Sequence, residues 1–523
     1  MRNVFPFVIL ILILFDCKGQ IEKKITERPN IVFIMSDDHA SEAIGCYNGF
    51  FADYAKTPNI DKLANTGMLF NNVICTNAIC GPSRAAILTG KYSHLNGFYK
   101  NVDGGDFDGS QQTFPKLFQQ AGYQTALIGK WHLGTVPTGF DYSQFLVNHG
   151  QQGTYYDAEF LINGSKKKKA QQHVTSQIAE DAIDWLTQKR DKAKPFMLCY
   201  QFKAPHRPWD PAPEFENLYN DITIPEPPTF NDTYKGRKAA ADTWMTIENH
   251  LSRRDLKMKP PTHLTPNEQK KWFARGTSGE YVSPSDTLTG QALKKWKYQV
   301  YIKDYLRCVA GVDKAIGKMV EKLKEQGLYD NTIIIYTSDQ GFFLGDHGWF
   351  DKRFMYEHSS RMPFIISYPE KIKPKSKNDN LYMNVDFAPT LLDLAGIDVP
   401  EDMQGISMKP TIFKEDDAKG HDAIYSHYYE WPIWHHVQPH YGIRTDRYKL
   451  IHFYHTIDEW ELYDLQNDPN ELNNLIDDAD YSKILKSLKK TLREKQVYYK
   501  DNLSLDSMRK MTDQKIKRNI QRE

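Results

Sequence analysis

The stretch Ala78-Ile79-Cys80-Gly81-Pro82-Ser83-Arg84-Ala85-Ala86-Ile87-Leu88-Thr89-Gly90 combines a tight turn with the start of a helix. Proline is tolerated in the first helical turn, and the residues from 84 to 88 are good helix formers. A side chain at Cys80 would face unpaired backbone N–H groups, which suit an anion or an anionic nucleophile. Arg84 adds a cation with forked donors. The alternative is a half-buried cysteine at a helix start.

Two apolar runs on either side of this stretch end in carboxylates. Residues 31–35 precede Asp37 and Asp38, and the run at 332–338 precedes Asp339 and Gln340. Such runs predict buried parallel strands, and ligands bind at the carboxyl ends of these strands. Adjacent carboxylates repel each other, so a divalent cation is a natural partner, and an all-oxygen set favours Ca²⁺ or Mg²⁺ over zinc. The alternative is a group of solvated loop acids.

Two further predicted strands end in histidine-containing segments. Residues 123–129 lead into Lys130 and His132, which can face one pocket because they are two residues apart on an extended segment. Residues 196–202 lead to His206, which is held between prolines. For either histidine alone, a satisfied structural histidine is the alternative.

The alternation of strands and helices predicts an α/β fold in which helices sandwich a large, mostly parallel sheet. From about residue 400, short alternating segments predict a smaller antiparallel sheet, followed by an amphipathic helix over 481–499. We therefore expect a catalytic domain at 28–400 and a C-terminal subdomain at 401–523. The segment 221–292 is interpreted as an insertion over the fold, and Lys166–Lys169 as a solvated loop.

The charge balance and the cysteine count exclude some classes of protein. With 67 basic and 66 acidic residues, the net charge is +1, which gives no whole-chain case for nucleic-acid binding. Six cysteines at irregular spacing are too few for a disulfide framework.

The N-terminus is typical of an export signal. Arg2 precedes an apolar run that is too short to span a bilayer comfortably, so residues 1–16 are predicted to be a signal peptide. Cys17 is the expected lipidated first residue of the mature chain, although Asp16 replaces the usual small residue, and cleavage nearby is the alternative. We expect a periplasmic, outer-membrane or cell-surface lipoprotein, or a secreted protein, with membrane contact only through that lipid.

Seven separated motifs give the chain a family resemblance. They are Pro-Asn-Ile-Val-Phe-Ile-Met-Ser-Asp-Asp (29–38), Thr-Pro-Asn-Ile-Asp-Lys-Leu (57–63), Cys-Gly-Pro-Ser-Arg (80–84), Gly-Lys-Trp-His-Leu-Gly (129–134), Ala-Pro-His (204–206), Ser-Asp-Gln-Gly (338–341) and Asp-Lys-Arg (351–353). The set resembles the type I, formylglycine-dependent sulfatases of the alkaline-phosphatase-like superfamily. The likeness runs from residue 29 to about residue 475.

The resemblance implies that a formylglycine-generating enzyme oxidises Cys80 to formylglycine (3-oxoalanine). It also implies one Ca²⁺ ion at the modified residue 80, with the oxygen ligands Asp37, Asp38, Asp339 and Gln340. The side chains implied around the sulfate are Arg84, Lys130, His132, His206 and Lys352. Position 340 departs from the family, in which asparagine or histidine is common, but glutamine offers the same carbonyl oxygen on a longer arm.

The activity implied by the resemblance is hydrolysis of a sulfate ester on a carbohydrate. The formylglycine hydrate would attack the sulfur, His206 or Lys352 would protonate the leaving alcohol, and His132 would take the proton from the second hydroxyl. Two alternatives are a phosphodiesterase or phosphonate hydrolase of the same superfamily and a lipoprotein that binds sulfated glycans without turnover.

Two segments, 350–356 and 440–450, resemble carbohydrate sulfatases, including N-acetylglucosamine-6-sulfatase-like enzymes and enzymes that act on algal polysaccharides. The segment 429–436 and the insertion near Trp244 offer aromatic surface suited to sugar rings, with ordinary loop packing as the alternative.

Overall fold

The computed structural model describes residues 28–102, 105–252, 255–256, 265–267, 288–369, 371–415 and 418–514. The predicted signal peptide and Cys17 lie outside these described residues, so the expectations about export and lipidation stay predictions. Across the described ranges, no helix is both long and apolar enough to cross a membrane.

The strands form one large sheet, a two-stranded ribbon and a small C-terminal sheet. In chain order the strands are β1 Asn30–Ser36, β2 Met68–Ile74, β3 Gln124–Gly129, β4 Tyr142–Leu146, β5 Glu159–Ile162, β6 Lys166–Lys169, β7 Phe196–Gln201, β8 Thr332–Ser338, β9 Phe343–Leu344, β10 Phe350–Asp351, β11 Arg361–Ser367, β12 Ser376–Asn378, β13 Tyr382–Met383, β14 Ile424–Tyr428, β15 His440–Arg444, β16 Tyr448–Phe453 and β17 Glu459–Asp464.

The large sheet has the order β12-β2-β11-β8-β1-β7-β3-β4-β5-β6, with β13 also paired to β2. Its centre, from β8 to β4, is parallel, whereas β11 runs antiparallel to both of its neighbours. The central strands are buried on both faces and are continuously apolar for that reason. The predicted α/β class with a mostly parallel sheet is confirmed.

Helices cover both faces of this sheet. In chain order the α-helices of the described residues are α1 Pro58–Asn65, α2 Cys80–Thr89, α3 Ser93–Asn96, α4 Phe114–Gln120, α5 Asn148–Gln151, α6 Val174–Asp184, α7 Lys238–Ala241, α8 Gly290–Glu325, α9 Glu357–Ser360, α10 Phe387–Leu394, α11 Lys409–Ile412, α12 Ser482–Tyr498 and α13 Leu505–Asp513. Alternate residues of β1 belong to two separate cores. Val32 packs in the core with α6 and α8, and Phe33 packs in the core with α4 and α10. Each face of the sheet is thus buried under its own helices.

The interpretation of Lys166–Lys169 as a loop is wrong. These lysines form β6, which pairs antiparallel with β5 at one edge of the large sheet. Four like charges carry no strand pattern, but charged side chains on an edge strand discourage pairing with another molecule.

The C-terminal region contains an antiparallel sheet of order β14-β15-β16-β17, as the alternating segments predict. Leu488 and Leu492 of α12 are buried against Ile443 and Leu450 of this sheet. The predicted smaller sheet-and-helix subdomain is therefore present, and the predicted boundary at residue 400 stays a prediction.

Asp501, just after α12, fastens the end of the chain to this sheet. Its buried carboxylate accepts hydrogen bonds from the Tyr425 hydroxyl at 2.7 Å and the Tyr429 hydroxyl at 3.2 Å, and it pairs with Nδ1 of His427 at 2.6 Å. Burial alone would raise the pKa of Asp501, but His427 and the hydrogen bonds hold it well below its ordinary value.

We predict that Asp501→Asn lowers the free energy of unfolding by about 3–5 kcal/mol, because it breaks a buried ion pair. Since the folded pKa of Asp501 is depressed, its stabilisation is present above the unfolded pKa of about 3.9 and is lost as the pH falls below it. Denaturant unfolding at pH 7 and pH 3.5 measures both effects. Asp506→Asn is the control, because Asp506 is 83% exposed. Equal stability of the two variants at pH 7 would contradict this role of Asp501.

Candidate active site

The register of the central strands brings the predicted acids together. Ser36 of β1 pairs with Ser338 of β8, so Asp37 and Asp339 leave the same edge of the sheet side by side. The backbone N–H of Asp38 donates to Oδ1 of Asp339 at 3.1 Å. All three acids are fully buried, and one ligand atom from each lies within 4.8 Å of the other two.

Cys80 is the first residue of α2 and enters this acid cluster. Its Sγ lies 3.9 Å from Oδ1 of Asp38, and only 1% of its surface is exposed. The backbone N–H of Gly81 donates to Oδ1 of Asn101 at 3.0 Å. A Cβ at Gly81 would lie 2.5 Å from that oxygen, so glycine leaves room for the Asn101 side chain at the turn that presents Cys80.

Burial raises the pKa of the Cys80 thiol to about 12. Asp38 and Asp339 push it in the same direction, and Lys352 opposes them. The thiol is therefore protonated at neutral pH and is a poor nucleophile.

Three cations face the three acids. Lys130 forms an ion pair with Asp37, and Lys352 forms one with Asp38. The third, Arg84, donates through Nε to Oδ2 of Asp339 at 2.9 Å and through one terminal nitrogen to Oε1 of Gln201 at 3.0 Å. All three cationic side chains are buried.

The oxygens of this cluster fit a hard divalent cation. Among the described residues, Oδ1 of Asp37, Oδ2 of Asp38 and Oε1 of Gln340 are buried without a hydrogen-bond partner. Burial raises the pKa of Asp38 to about 6, and the charge of Asp339 adds to that effect although Lys352 lowers it. Unpaired buried carboxylate oxygens are costly, and an oxygen-coordinated ion such as Ca²⁺ or Mg²⁺ would satisfy them.

One predicted histidine lies beside the acids, and the other is connected to the cluster through Gln152. Nε2 of His206 lies 3.8 Å from Oδ2 of Asp38, and Nδ1 of His206 donates to the carbonyl oxygen of Arg207 at 2.8 Å. Nε2 of His132 is 2.8 Å from Nε2 of Gln152, whose Oε1 accepts from Lys130. Burial and the nearby ammonium groups, Lys130 foremost, lower the pKa of His206 well below its ordinary value. His206 is therefore neutral in this structure.

Unfavourable backbone conformations cluster at this site. Asp38, His132, Asp351 and Arg353 have φ values of 65°, 60°, 80° and 95°, in the left-handed region that non-glycine residues avoid. The hydroxyl of Tyr305 donates to the carbonyl oxygen of Asp38 at 2.7 Å and so helps to hold that turn. Strain of this kind is typical of functional sites.

The structure brings together every side chain predicted for the site. The acids, Gln340, Cys80 and Lys352 meet at Asp38, and Lys130, Arg84 and the two histidines surround them. Sequence reasoning missed Gln152, whose Oε1 accepts from Lys130 at 2.6 Å, because a glutamine in a loop carries no pattern. The grouping follows from the sheet register, which aligns the ends of separate strands.

Sequence reasoning also missed a polar group beside Lys352. Arg353 forms an ion pair with Asp351 and reaches Glu430 at 3.7 Å. Oδ2 of Asp351 lies 3.1 Å from Nε2 of His435 and 3.3 Å from Arg207. Asp351 and Arg353 could have been predicted from the sequence, because they flank Lys352 in the Asp-Lys-Arg motif.

Glu430 connects this polar group to the turn at Cys80. Its Oε2 accepts from the backbone N–H groups of Asn101 at 2.7 Å and Val102 at 3.0 Å. Because Asn101 also accepts from Gly81, the position of residue 80 depends on the same glutamate that contacts Arg353.

Comparisons with known proteins point to one enzyme family. A family model described as sulfatase matches residues 29–397, and one described as the C-terminal region of N-sulphoglucosamine sulphohydrolase matches residues 345–498. The chain is 49% identical over 500 residues to an N-acetylglucosamine-6-O-sulfatase of Bacteroides thetaiotaomicron, covering 92% of this chain and 88% of the relative. It is 29% identical over 504 residues to an arylsulfatase of Clostridium perfringens, covering 89% and 94%.

One solved structure is similar over nearly the whole chain. It is the structure of a protein in complex with its substrate, D-glucosamine-2-N,6-O-disulfate, and it superposes with a TM-score of 0.86 at 48% identity. The match covers 91% of this chain and 99% of the solved chain.

We predict that the acid cluster binds one divalent cation and that Asp38→Asn weakens this binding at least about 100-fold, since a ligand oxygen is lost. Gln340→Ala removes only a neutral carbonyl, and we expect a loss of about tenfold. Calorimetric titration of chelator-stripped protein, with elemental analysis, measures both. Asp393→Asn is the control, because Asp393 is part-exposed and pairs with Lys409 outside the cluster. Unchanged affinity in Asp38→Asn would exclude a site at this position.

Proposed function

The chain belongs to the sulfatase family, and we propose that this carbohydrate sulfatase removes the 6-O-sulfate of a glucosamine residue, using Ca²⁺ and a formylglycine formed from Cys80. The family match makes it a sulfuric ester hydrolase, and a divalent metal and formylglycine are typical of that family. The proposed sugar, ion and modification go beyond that family assignment.

The 6-O position is supported by one relative's name and by one substrate complex, both from matches that cover nearly the whole chain. One is named for 6-O-desulfation of N-acetylglucosamine, and the other holds a glucosamine sulfated at both the 2-N and 6-O positions. Their named substrates share the 6-O-sulfate and differ at nitrogen. We therefore assign the 6-O-sulfate as the group removed and expect either nitrogen substituent to be accepted.

The observation that carries the catalytic proposal is the buried cluster of Asp37, Asp38 and Asp339 around Cys80. With Gln340, these residues would hold Ca²⁺, and the bound ion would supply positive charge to the sulfate oxygens. A formylglycine hydrate at residue 80 supplies a hydroxyl in place of the inert thiol. Because Cys80 is 1% exposed, we expect the formylglycine-generating enzyme to act before the chain folds.

The buried cations bind and orient the sulfate group. A sulfate ester resists nucleophilic attack because its oxygens carry negative charge. The ammonium groups of Lys130 and Lys352 would offset that charge. Arg84 acts through its bond to Asp339, which fixes that carboxylate for the metal.

His206 is placed to protonate the leaving sugar oxygen. Its Nδ1–H donates to the carbonyl oxygen of Arg207, so Nε2 is the nitrogen that faces the site. The imidazole is neutral without substrate, and a bound sulfate anion would raise the pKa of His206 and favour uptake of the proton. We assign the uptake of the second proton to His132, whose Nε2 contacts the side-chain amide of Gln152.

We predict that the purified, matured enzyme releases sulfate from a 6-O-sulfated glucosamine and carries an aldehyde at residue 80. Peptide mass spectrometry and sulfate release with 2-O-, 3-O- and 6-O-sulfated sugars measure both. Cys80→Ala has no sulfur or oxygen on the β-carbon and cannot become the aldehyde, so we expect at least about a 1000-fold loss of kcat. Full activity with an unmodified Cys80, or faster hydrolysis of a phosphate ester than of the sulfate ester, would refute the proposal.

We predict that His206→Ala lowers kcat/KM about 100-fold for the sugar sulfate and less than about fivefold for an aryl sulfate, whose leaving group needs no proton. His132→Ala should instead release about one equivalent of alcohol and little sulfate. Rapid-quench kinetics with both substrates distinguish the two roles. His452→Ala is a control, since His452 lies on β16 of the C-terminal sheet, where its Nε2 is 2.7 Å from Asp458. Equal losses on both substrates and no burst would show that the two histidines only position the sulfate.

A further inference from the structure

An exposed aromatic surface lies beside the polar group at Asp351. We call it the aromatic shelf and define it as Trp244, Trp431, Trp434 and His436. Trp434 is 64% exposed and Trp244 is 53% exposed, although indole side chains are usually well buried. Contiguous exposed apolar surface on a soluble protein marks a binding site more often than chance packing.

The shelf is held in place by the fold. The Trp244 ring stacks on the His436 ring at 4.5 Å between centroids and 11° between planes, and the Trp431 ring lies 4.4 Å from the same imidazole. The backbone N–H of Trp244 donates to the carbonyl oxygen of His435 at 2.7 Å. The segment of Trp244 and the loop at 431–436 thus form one unit.

The shelf is continuous with the active site. His435 lies between two shelf residues, and its Nε2 is 3.1 Å from Oδ2 of Asp351, the neighbour of Lys352. Next to Trp244, the carbonyl oxygen of Met245 accepts a hydrogen bond from the backbone N–H of Phe350 on β10 at 3.0 Å. Trp434 is therefore next in the chain to His435, which contacts Asp351, and Trp244 is next to Met245, which bonds to Phe350 of β10.

We propose that the aromatic shelf binds the sugar residue that is glycosidically linked to the sulfated glucosamine. A pyranose ring has a face of C–H groups that packs on an indole ring, while its hydroxyls stay in water or bond to nearby polar groups. Asp242, whose carboxylate lies 3.1 Å from Nδ1 of His436, offers such a group at the edge of the shelf. The inference rests on the proposed function, because it places the linked sugar next to a bound 6-sulfated residue.

A second protein copy fits this surface less well than a sugar. Stable protein interfaces bury about 800 Å² on each partner, and four aromatic residues at the mouth of a polar site offer much less. One pyranose ring matches the area of one or two indole rings. The shelf therefore raises the affinity for an oligosaccharide but not the affinity for a monosaccharide.

The test compares two substrates that carry the same 6-O-sulfated glucosamine, one as the monosaccharide and one as a disaccharide with that residue at the non-reducing end. For Trp434→Ala and Trp244→Ala, we expect kcat/KM to fall about tenfold on the disaccharide, mainly through KM, and to stay within about twofold on the monosaccharide. Trp434→Phe should keep most of the disaccharide activity, because it retains an aromatic face. Tyr498→Ala is the control, since Tyr498 is 68% exposed on α12 away from the shelf.

Thermal unfolding of each variant checks that the fold is intact, as the exposure of Trp434 leads us to expect. Equal losses on both substrates, or no loss on either, would overturn the inference while leaving the proposed function in place. Inactivity of the matured enzyme without substitutions on both sugars would overturn the proposed function and this inference together. A dimer that dissociates in Trp434→Ala, measured by sedimentation, would assign the shelf to self-association instead.

Discussion

The structure depends on one electrostatic constraint, which is negative charge buried at the carboxyl end of β1. The pairing of β1 with β8 places Asp37, Asp38 and Asp339 within a few ångströms of each other, away from water. Carboxylates that are buried together oppose each other's ionisation, as the raised pKa of Asp38 shows. Cationic side chains from the surrounding elements compensate this buried negative charge.

The compensation explains why the site suits an anionic substrate. Three buried carboxylates face three side-chain cations, Lys130, Lys352 and Arg84, so the cluster is close to neutral with its ion pairs formed. A divalent cation at the unpaired oxygens would make it positive, and a sulfate ester would then meet favourable charge. The same ion would compete with the lysines for Asp37 and Asp38 and so free their ammonium groups for the sulfate. A cluster that is close to neutral without the metal and positive with it is therefore suited to binding a sulfate group.

Much of this architecture could be predicted from the sequence, and the exceptions have physical reasons. Runs such as residues 31–35 and 332–338 read as buried strands because both faces of the sheet are covered, and the polar residues that follow mark the edge where ligands bind. The antiparallel direction of β11 could not be predicted from the sequence, because an apolar run has the same pattern in a parallel and in an antiparallel strand. Gln152 and Glu430 were missed because polar loop residues gain their roles only through tertiary contacts. Lys166–Lys169 was misread because backbone pairing with β5 stabilises a strand whose side chains favour none.

The most direct test of the central claim is a crystal structure of the matured protein grown with calcium, with the anomalous signal used to identify the ion. The account predicts a single ion with oxygen ligands at about 2.4 Å from Asp37, Asp38, Asp339 and Gln340, next to a modified residue 80, and displaced ammonium groups of Lys130 and Lys352. A structure of active enzyme in which both lysines keep their ion pairs and no ion lies among these acids would contradict it.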